Sequence, residues 1–291
     1  MPDYPDFICV GAQKAATTWL HGVLGRTCGI FLPPIKETNY FSQLCTDDAA
    51  RFGPRHRAEQ IKHARHGYRF NRVLRALGSA AADEKRAVLA QLNHLQQEQI
   101  DDDWYRGIFS FARDNEICGE ICPSYFCMPT RGIRHLLSIN PCVRILIIVR
   151  DPVSRAWSHM RMHIKSGHLD ADLSGVVRGD TSLGPYLRYT DYAGSIPRWK
   201  SMAGEDRVRV LLYDQIVENP GAVLGEILEF VGMPGAATSA NFRRKVFTGK
   251  HLAIPEEMHS MLLLALRPQY DYLQGMFPDH VSRWLQTHRA I

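Results

Sequence analysis

Short apolar runs alternate with stretches of helical spacing along most of this chain. Residues 7–10, Phe-Ile-Cys-Val, end at Gly11 and read as a buried strand. Gly11-Ala12-Gln13-Lys14-Ala15-Ala16-Thr17-Thr18 follows, and then an apolar helical pattern over 19–24, which makes a strand–loop–helix unit. A second apolar run, 30–32, stops at Pro33-Pro34. Strand character returns at 117–121 and is cleanest at 143–149. That run ends at Arg150-Asp151-Pro152, where Pro152 suits the first turn of a helix expected over about 153–166. Between these strands, 131–139 reads as a helix that stops at Asn140-Pro141. A further helix and a strand at 208–213 are expected, then an amphipathic helix at 222–231 and a last long helix within 255–273. Residues 167–190 lack periodicity and read as a long loop. Strands alternating with helices predict an α/β fold, an open parallel sheet flanked by helices.

Residues 45–117 differ in character. They are polar, carry no convincing linker, and place Val88, Leu92 and Leu95 on one helix face. They read as a helical insertion within a single domain spanning 1–291. Of the 291 residues, 45% are hydrophobic and 22% charged, which excludes a disordered chain, a collagen and a coiled coil. No apolar run approaches the roughly 20 residues that span a bilayer, and the N-terminal residues lack a signal-peptide pattern. The seven cysteines include no C-x-x-C pair and read as buried thiols of a reducing compartment. The expected location is the cytoplasm. A net charge of +5 does not indicate a nucleic-acid binder.

The loop after the first strand carries the most chemical information. Lys14 adds a full charge, Thr17 and Thr18 add hydroxyls, and the helix N-terminus adds unpaired N–H groups: together an anion cradle. The nucleotide-hydrolase pattern G-x-x-x-x-G-K-[ST] is not met, because no second glycine follows Gly11 and Lys14 comes early. Arg150 closes a buried strand at the end where open α/β sheets bind ligands. Ser158 lies about two turns into the following helix. An arginine fork and a hydroxyl from adjacent elements can grip one phosphate.

Taken together, these segments resemble the sulfotransferases that use 3′-phosphoadenosine 5′-phosphosulfate. Residues 7–24 look like that family's 5′-phosphosulfate loop, and 144–160 like its 3′-phosphate motif, with the R-D-P-x-x-R-x-x-S pattern. Lys36-Glu37-Thr38-Asn39-Tyr40-Phe41 and Gly119-Glu120-Ile121-Cys122-Pro123-Ser124-Tyr125-Phe126 are similar to segments of the branch containing the heparan sulfate enzymes. Alanines stand at 15 and 16 where the family loop usually has small residues including glycine, and Ile121 replaces a lysine that some relatives carry.

The resemblance implies a P-loop-like fold and in-line transfer of a sulfonyl group to a hydroxyl or amine, with no metal required. It places Lys14 beside the leaving phosphate and the amides of Ala15, Ala16, Thr17, Thr18 and Trp19 on the 5′-phosphate. Arg150 and Ser158 hold the 3′-phosphate, Gly249 and Lys250 form a late cofactor loop, and Glu37 takes the acceptor's proton. Arg243, Arg244 and Lys245 compete with Lys250, and an ion pair with Lys36 competes with catalysis for Glu37. Glu120 is expected to be structural or substrate-orienting. The acceptor would be a glycan or small molecule. Residues 51–75 hold Arg51, Arg55, Arg57, Lys62, Arg65, Arg69, Arg72 and Arg75 against Glu59 alone. That excess is either a solvated basic face or a steering surface for an anionic acceptor. His159 and His163 are expected in the acceptor cleft or in solvent, and Asp101-Asp102-Asp103 as a solvated turn. Two other readings stay open: a P-loop kinase or hydrolase, and a non-catalytic anion-binding module.

Overall fold

The computed structural model describes residues 4–45, 54–66, 82–241 and 252–289. Its centre is a five-stranded parallel sheet of β1 (Phe7–Gly11), β2 (Ile30–Phe31), β3 (Ile117–Ile121), β4 (Arg144–Val149) and β5 (Val208–Leu212). The strand order is β2-β3-β1-β4-β5. Phe7 pairs with both Gly119 and Arg144, so β1 is sandwiched between β3 and β4. All of β1 and all of β4 beyond Arg144 are buried. That is why they read as unbroken apolar runs: parallel strands covered on both faces have no polar side to show.

The helices before β3 are α1 (Thr17–Leu24), α2 (Tyr40–Cys45), α3 (Pro54–His66), α4 (Ala82–Leu95) and α5 (Asp102–Phe109). Between β3 and β5 come α6 (Thr130–Ile139), α7 (Pro152–Lys165), α8 (Ser174–Val177), α9 (Gly184–Arg188) and α10 (Tyr192–Ala203). After β5 come α11 (Tyr213–Glu218), α12 (Pro220–Phe230), α13 (Glu256–Ala265), α14 (Arg267–Gln274) and α15 (Pro278–Arg289). The described residues of 45–117 include α3, α4 and α5, and Leu92 and Leu95 are buried; the side chain of Val88 lies outside the described residues.

Several expectations are corrected. Residues 167–190 contain α8 and α9, helices too short to complete a detectable period. The long helix expected within 255–273 is two helices that meet at Leu266, with a proline in the first turn of the second. A further helix, α15, follows. Four cysteines are buried, but Cys28 and Cys142 are exposed and Cys127 is intermediate. Asp101-Asp102-Asp103 is not merely a solvated turn. Asp101 caps α5 by accepting from the Trp104 amide at 2.8 Å. Asp102 accepts from the Tyr40 hydroxyl at 2.5 Å and lies 2.7 Å from His135 Nε2. No helix among the described residues is long and apolar enough to cross a membrane.

Candidate active site

The site forms where β1, β3 and β4 end. Gly11 closes β1 at φ 147°, and a side chain there would put its Cβ 2.8 Å from Phe126 Cβ, so only glycine fits the exit. The Ala12 amide bonds Ile148 O at 3.0 Å, which ties the loop to β4. Lys14 (φ 69°) and Ala16 (φ 60°) adopt the left-handed region, and the Ala15 amide reaches Ala12 O at 3.3 Å. Of the amides expected to hold a phosphate, that of Ala15 is therefore engaged in the turn. Helix α1 starts from Ala16 with no side-chain cap. Leu20 N donates to Ala16 O at 3.0 Å, so the amides of Thr17, Thr18 and Trp19 have no preceding helical turn to receive them. The Trp19 side chain packs in the core.

Glu37 arrives on the strap between β2 and α2. Its Oε1 lies 2.6 Å from Lys36 Nζ, and the same ammonium donates to Thr17 Oγ1 at 3.3 Å and Thr18 Oγ1 at 3.5 Å. Lys36 thus joins the anion loop to the carboxylate. In the sequence Lys36 adjoins only Glu37 and lies 19 and 18 positions from Thr17 and Thr18, so its link to the loop has no local signal. The strap is held in an unusual backbone shape, with Glu37 at φ 67° and Asn39 at φ 58°. The Glu37 amide bonds Ile121 O at 3.2 Å, and Asn39 Nδ2 bonds Glu37 O at 2.8 Å. Gln60 of α3 donates to Lys36 O at 3.2 Å and Glu37 O at 3.1 Å. The insertion therefore touches the strap directly, which no local pattern announced.

Behind the strap, Glu120 is 1% exposed and accepts from Thr38, from Tyr105 at 2.6 Å and from Tyr125 at 3.2 Å. Burial pushes its carboxyl up, although the three hydroxyls pull the other way. It fastens the strap from inside.

On the other side, Arg150 donates from Nη1 to Lys14 O at 2.9 Å and lies 4.5 Å above the Tyr213 ring. Ser158 is half-buried on α7. Lys14 Nζ rests 3.7 Å from Met162 Sδ. Burial lowers the Lys14 pKa, and so do Arg150, Arg161, Lys36 and Arg155, in that order. Arg155 is fully buried; it donates to Tyr186 O, and burial pulls its pKa down to about 10. Nε and Nη1 of Arg155, Nε of Arg161 and Oε1 of Gln13 are buried without a hydrogen-bond partner among the described residues. Concentrating cations that depress one another is costly unless an anion completes the site. The residues present thus fit a multiply charged anion bound across the loop.

Gly249 and Lys250, with Thr248 and the competing Arg243, Arg244 and Lys245, lie outside the described residues. His159 does not line a cleft: it is fully buried, with its ring edge-on to those of His163, Tyr186 and Tyr189. Arg57 is withdrawn from the basic surface; it is 5% exposed, donates to Gln97 O at 2.9 Å and stacks on Trp104. Among the described residues no group of three or more His, Cys, Asp or Glu could hold a metal ion.

A parallel sheet whose first strand feeds a left-handed anion loop, beside an arginine at the end of its neighbour, defines a P-loop-like α/β protein. The chain belongs to the sulfotransferase family, whose model matches residues 5–237. It is 25% identical over 146 residues to the mouse heparan sulfate glucosamine 3-O-sulfotransferase 6, and the human protein of that name matches equally. That stretch is 48% of this chain and 42% of each relative, so the chain spans less than half the length of the relatives it matches. The fold is similar to that of a sulfotransferase from Alicyclobacillus acidocaldarius, with a TM-score of 0.64 and 20% identity over 96% of this chain and 98% of that one. It is also similar to the sulfotransferase domain of the curacin biosynthetic pathway, with a TM-score of 0.53 and 16% identity over 79% of this chain and 75% of that one.

Proposed function

We propose that the protein moves a sulfonyl group from 3′-phosphoadenosine 5′-phosphosulfate to a hydroxyl of a glycan or small metabolite, with an amine as the other acceptor class. The observation that carries this reading is the convergence of Lys14, Lys36, Arg150 and Arg161 on one loop, with the Glu37 carboxylate beside Lys36. The bound donor supplies an activated sulfonyl group and a bisphosphate leaving group. The amides opening α1 and the Thr17 and Thr18 hydroxyls would hold its 5′ end, and Arg150 and Ser158 its 3′-phosphate. Lys14 would neutralise charge that develops on the leaving oxygen, a role suited to a preorganised and desolvated ammonium. Glu37 would take the acceptor's proton once the acceptor draws its carboxylate from Lys36. Lys36 would then turn its charge toward the loop it already touches through Thr17 and Thr18. The relatives are named for 3-O-sulfation of heparan sulfate glucosamine, which favours a hydroxyl on a glycan.

A kinase or hydrolase reading is disfavoured by the single glycine of the loop and by the placement of Arg150. Thermal stabilisation separates the two. Adenosine 3′,5′-bisphosphate should raise the melting temperature and ATP with magnesium should not; the reverse result would overturn the donor assignment. Mass spectrometry of candidate acceptors incubated with donor and enzyme then identifies the sulfated product.

A further inference from the structure

Arg150 is held from behind by residues that lie far along the chain. The Tyr192 hydroxyl accepts from the Arg150 amide at 3.2 Å and donates to the Arg150 carbonyl at 3.0 Å. The next residue, Asp151, is 5% exposed and is the centre of a second set of contacts. Its Oδ2 accepts from the Ser154 amide at 2.8 Å, and its Oδ1 accepts from the Tyr270 hydroxyl at 2.6 Å. His288 Nε2 lies 3.1 Å from both carboxylate oxygens. His259 Nε2 lies 3.0 Å from His288 Nδ1. The chain is satisfied when His259 donates to His288 and His288 donates to Asp151, leaving the carboxylate charged and fully engaged.

The same contacts seal the start of α7. The Val153 amide goes to the Tyr270 hydroxyl at 3.3 Å, the Ser154 amide to Asp151, and the Arg155 amide to Asp151 O at 2.9 Å. Pro152 has no amide hydrogen to offer. The helix terminus that follows Arg150 is therefore closed to an anion, and recognition on this side falls to side chains such as the Arg150 guanidinium. Its aim depends on a backbone pinned by Tyr192 on one side and, through Asp151, by α13, α14 and α15 on the other.

We infer that His288 is a positioning residue for Arg150: through Asp151 the C-terminal helices set how strongly the site discriminates a ligand bearing a 3′-phosphate from one without it. This rests on the donor reading above. His288 touches no ligand; it acts by holding Asp151, with Tyr270 beside it.

Calorimetry on the full chain with adenosine 3′,5′-bisphosphate and adenosine 5′-monophosphate tests it. His288→Ala should weaken the bisphosphate by about fivefold, on the scale of mutations that act through a packed network, and leave the monophosphate unchanged. His288→Gln keeps an N–H for Asp151 and an oxygen for His259, and should restore the ratio. If His288→Ala does not fold, Tyr270→Phe removes only a hydroxyl from the same carboxylate and should lower the ratio in the same direction. An unchanged ratio in a folded His288→Ala or Tyr270→Phe protein overturns the inference. Equal weakening of both ligands overturns it too, because it marks a general structural defect. If the unmutated protein already binds both ligands equally, the donor reading itself falls.

Discussion

The turns that follow β1 and β4 lie side by side at the C-terminal end of the sheet's interior strands, and each feeds a helix. They are finished in opposite ways. Helix α1 starts from Ala16 in a left-handed conformation with no side-chain cap. Helix α7 starts from Asp151, capped by its carboxylate and sealed by Tyr270. An N-cap contributes about 1 kcal/mol, and its absence at α1 is a cost that a bound anion would offset. Uncapped starts recur elsewhere in the fold, so what sets α1 apart is what surrounds an uncapped helix start there: Lys14, Lys36 and Arg150. A capped and buttressed one marks a turn whose task is to aim a side chain.

The sharpest way to break this comparison is to remove a group on the open side. Lys14→Ala should lower kcat by ~10²-fold or more, the scale of one preorganised electrostatic group. Glu37→Gln should lose ~10²-fold or more in kcat while keeping donor affinity, because an amide cannot accept the acceptor's proton. A sulfation assay run beside calorimetry separates the two; a fully active Glu37→Gln protein would place the base elsewhere. On the closed side the expected loss is in binding. Arg150→Ala removes a charge-assisted contact of about 1.5–3 kcal/mol and should weaken adenosine 3′,5′-bisphosphate at least ~10-fold. The melting temperature without ligand should barely change.

Much of this contrast was legible in the chain. Buried parallel strands write themselves as unbroken apolar runs, and Asp151-Pro152 announces a helix start by its chemistry. The buttress was not legible. In α15 Val281, Trp284, Leu285 and His288 fall on one helix face, so the element itself is readable from its spacing, but nothing local says what that face meets. A histidine that meets a carboxylate 137 positions away leaves no local trace. The strap was half legible: Lys36-Glu37 stands out as a motif, but its left-handed backbone contains no glycine to betray it. Gln60 reaches it only through tertiary packing.

Acid and base stability profiles sharpen the same comparison across the sheet, because two buried carboxylates among the described residues, Asp151 and Glu120, are tuned in opposite directions. Burial pushes Asp151 up, but the His288 bond and charge, then Ser154 and Tyr270, outweigh it and hold the carboxyl below its ordinary value of 3.8. A carboxyl depressed by folding adds stability above its unfolded value, and that stability is lost as pH falls through the folded one. Burial raises Glu120 above 4.5. Its contribution is full below that value and is lost as pH rises through the folded one. Urea midpoints across pH should therefore show a shallower acid limb in Asp151→Asn. In Glu120→Gln the decline that begins above 4.5 should be shallower. Limbs unchanged from the parent would show that neither carboxylate governs them.

The smallest effect is expected at the acceptor side. Gln60 places α3 against the Glu37 strap, and Arg55 and Lys62 on that helix are exposed. An acceptor approaching Glu37 would meet this basic segment, although Arg57 is withdrawn from it. Residues 51, 69, 72 and 75 and the side chain of Arg65 lie outside the described residues, and only their charge enters here. Seven cations remain in 51–75 after Arg57 is set aside (Arg51, Arg55, Lys62, Arg65, Arg69, Arg72 and Arg75), against one acid. Such a field raises the local concentration of an anionic partner and does not act on chemistry. Replacing Arg65, Arg69 and Arg72 with Ser should raise the apparent KM for an anionic glycan acceptor and leave donor affinity unchanged. The effect should fade as salt shortens the screening length to about 8 Å at physiological ionic strength. An unchanged KM at low ionic strength would reduce the segment to ordinary surface charge and point to a small, neutral acceptor.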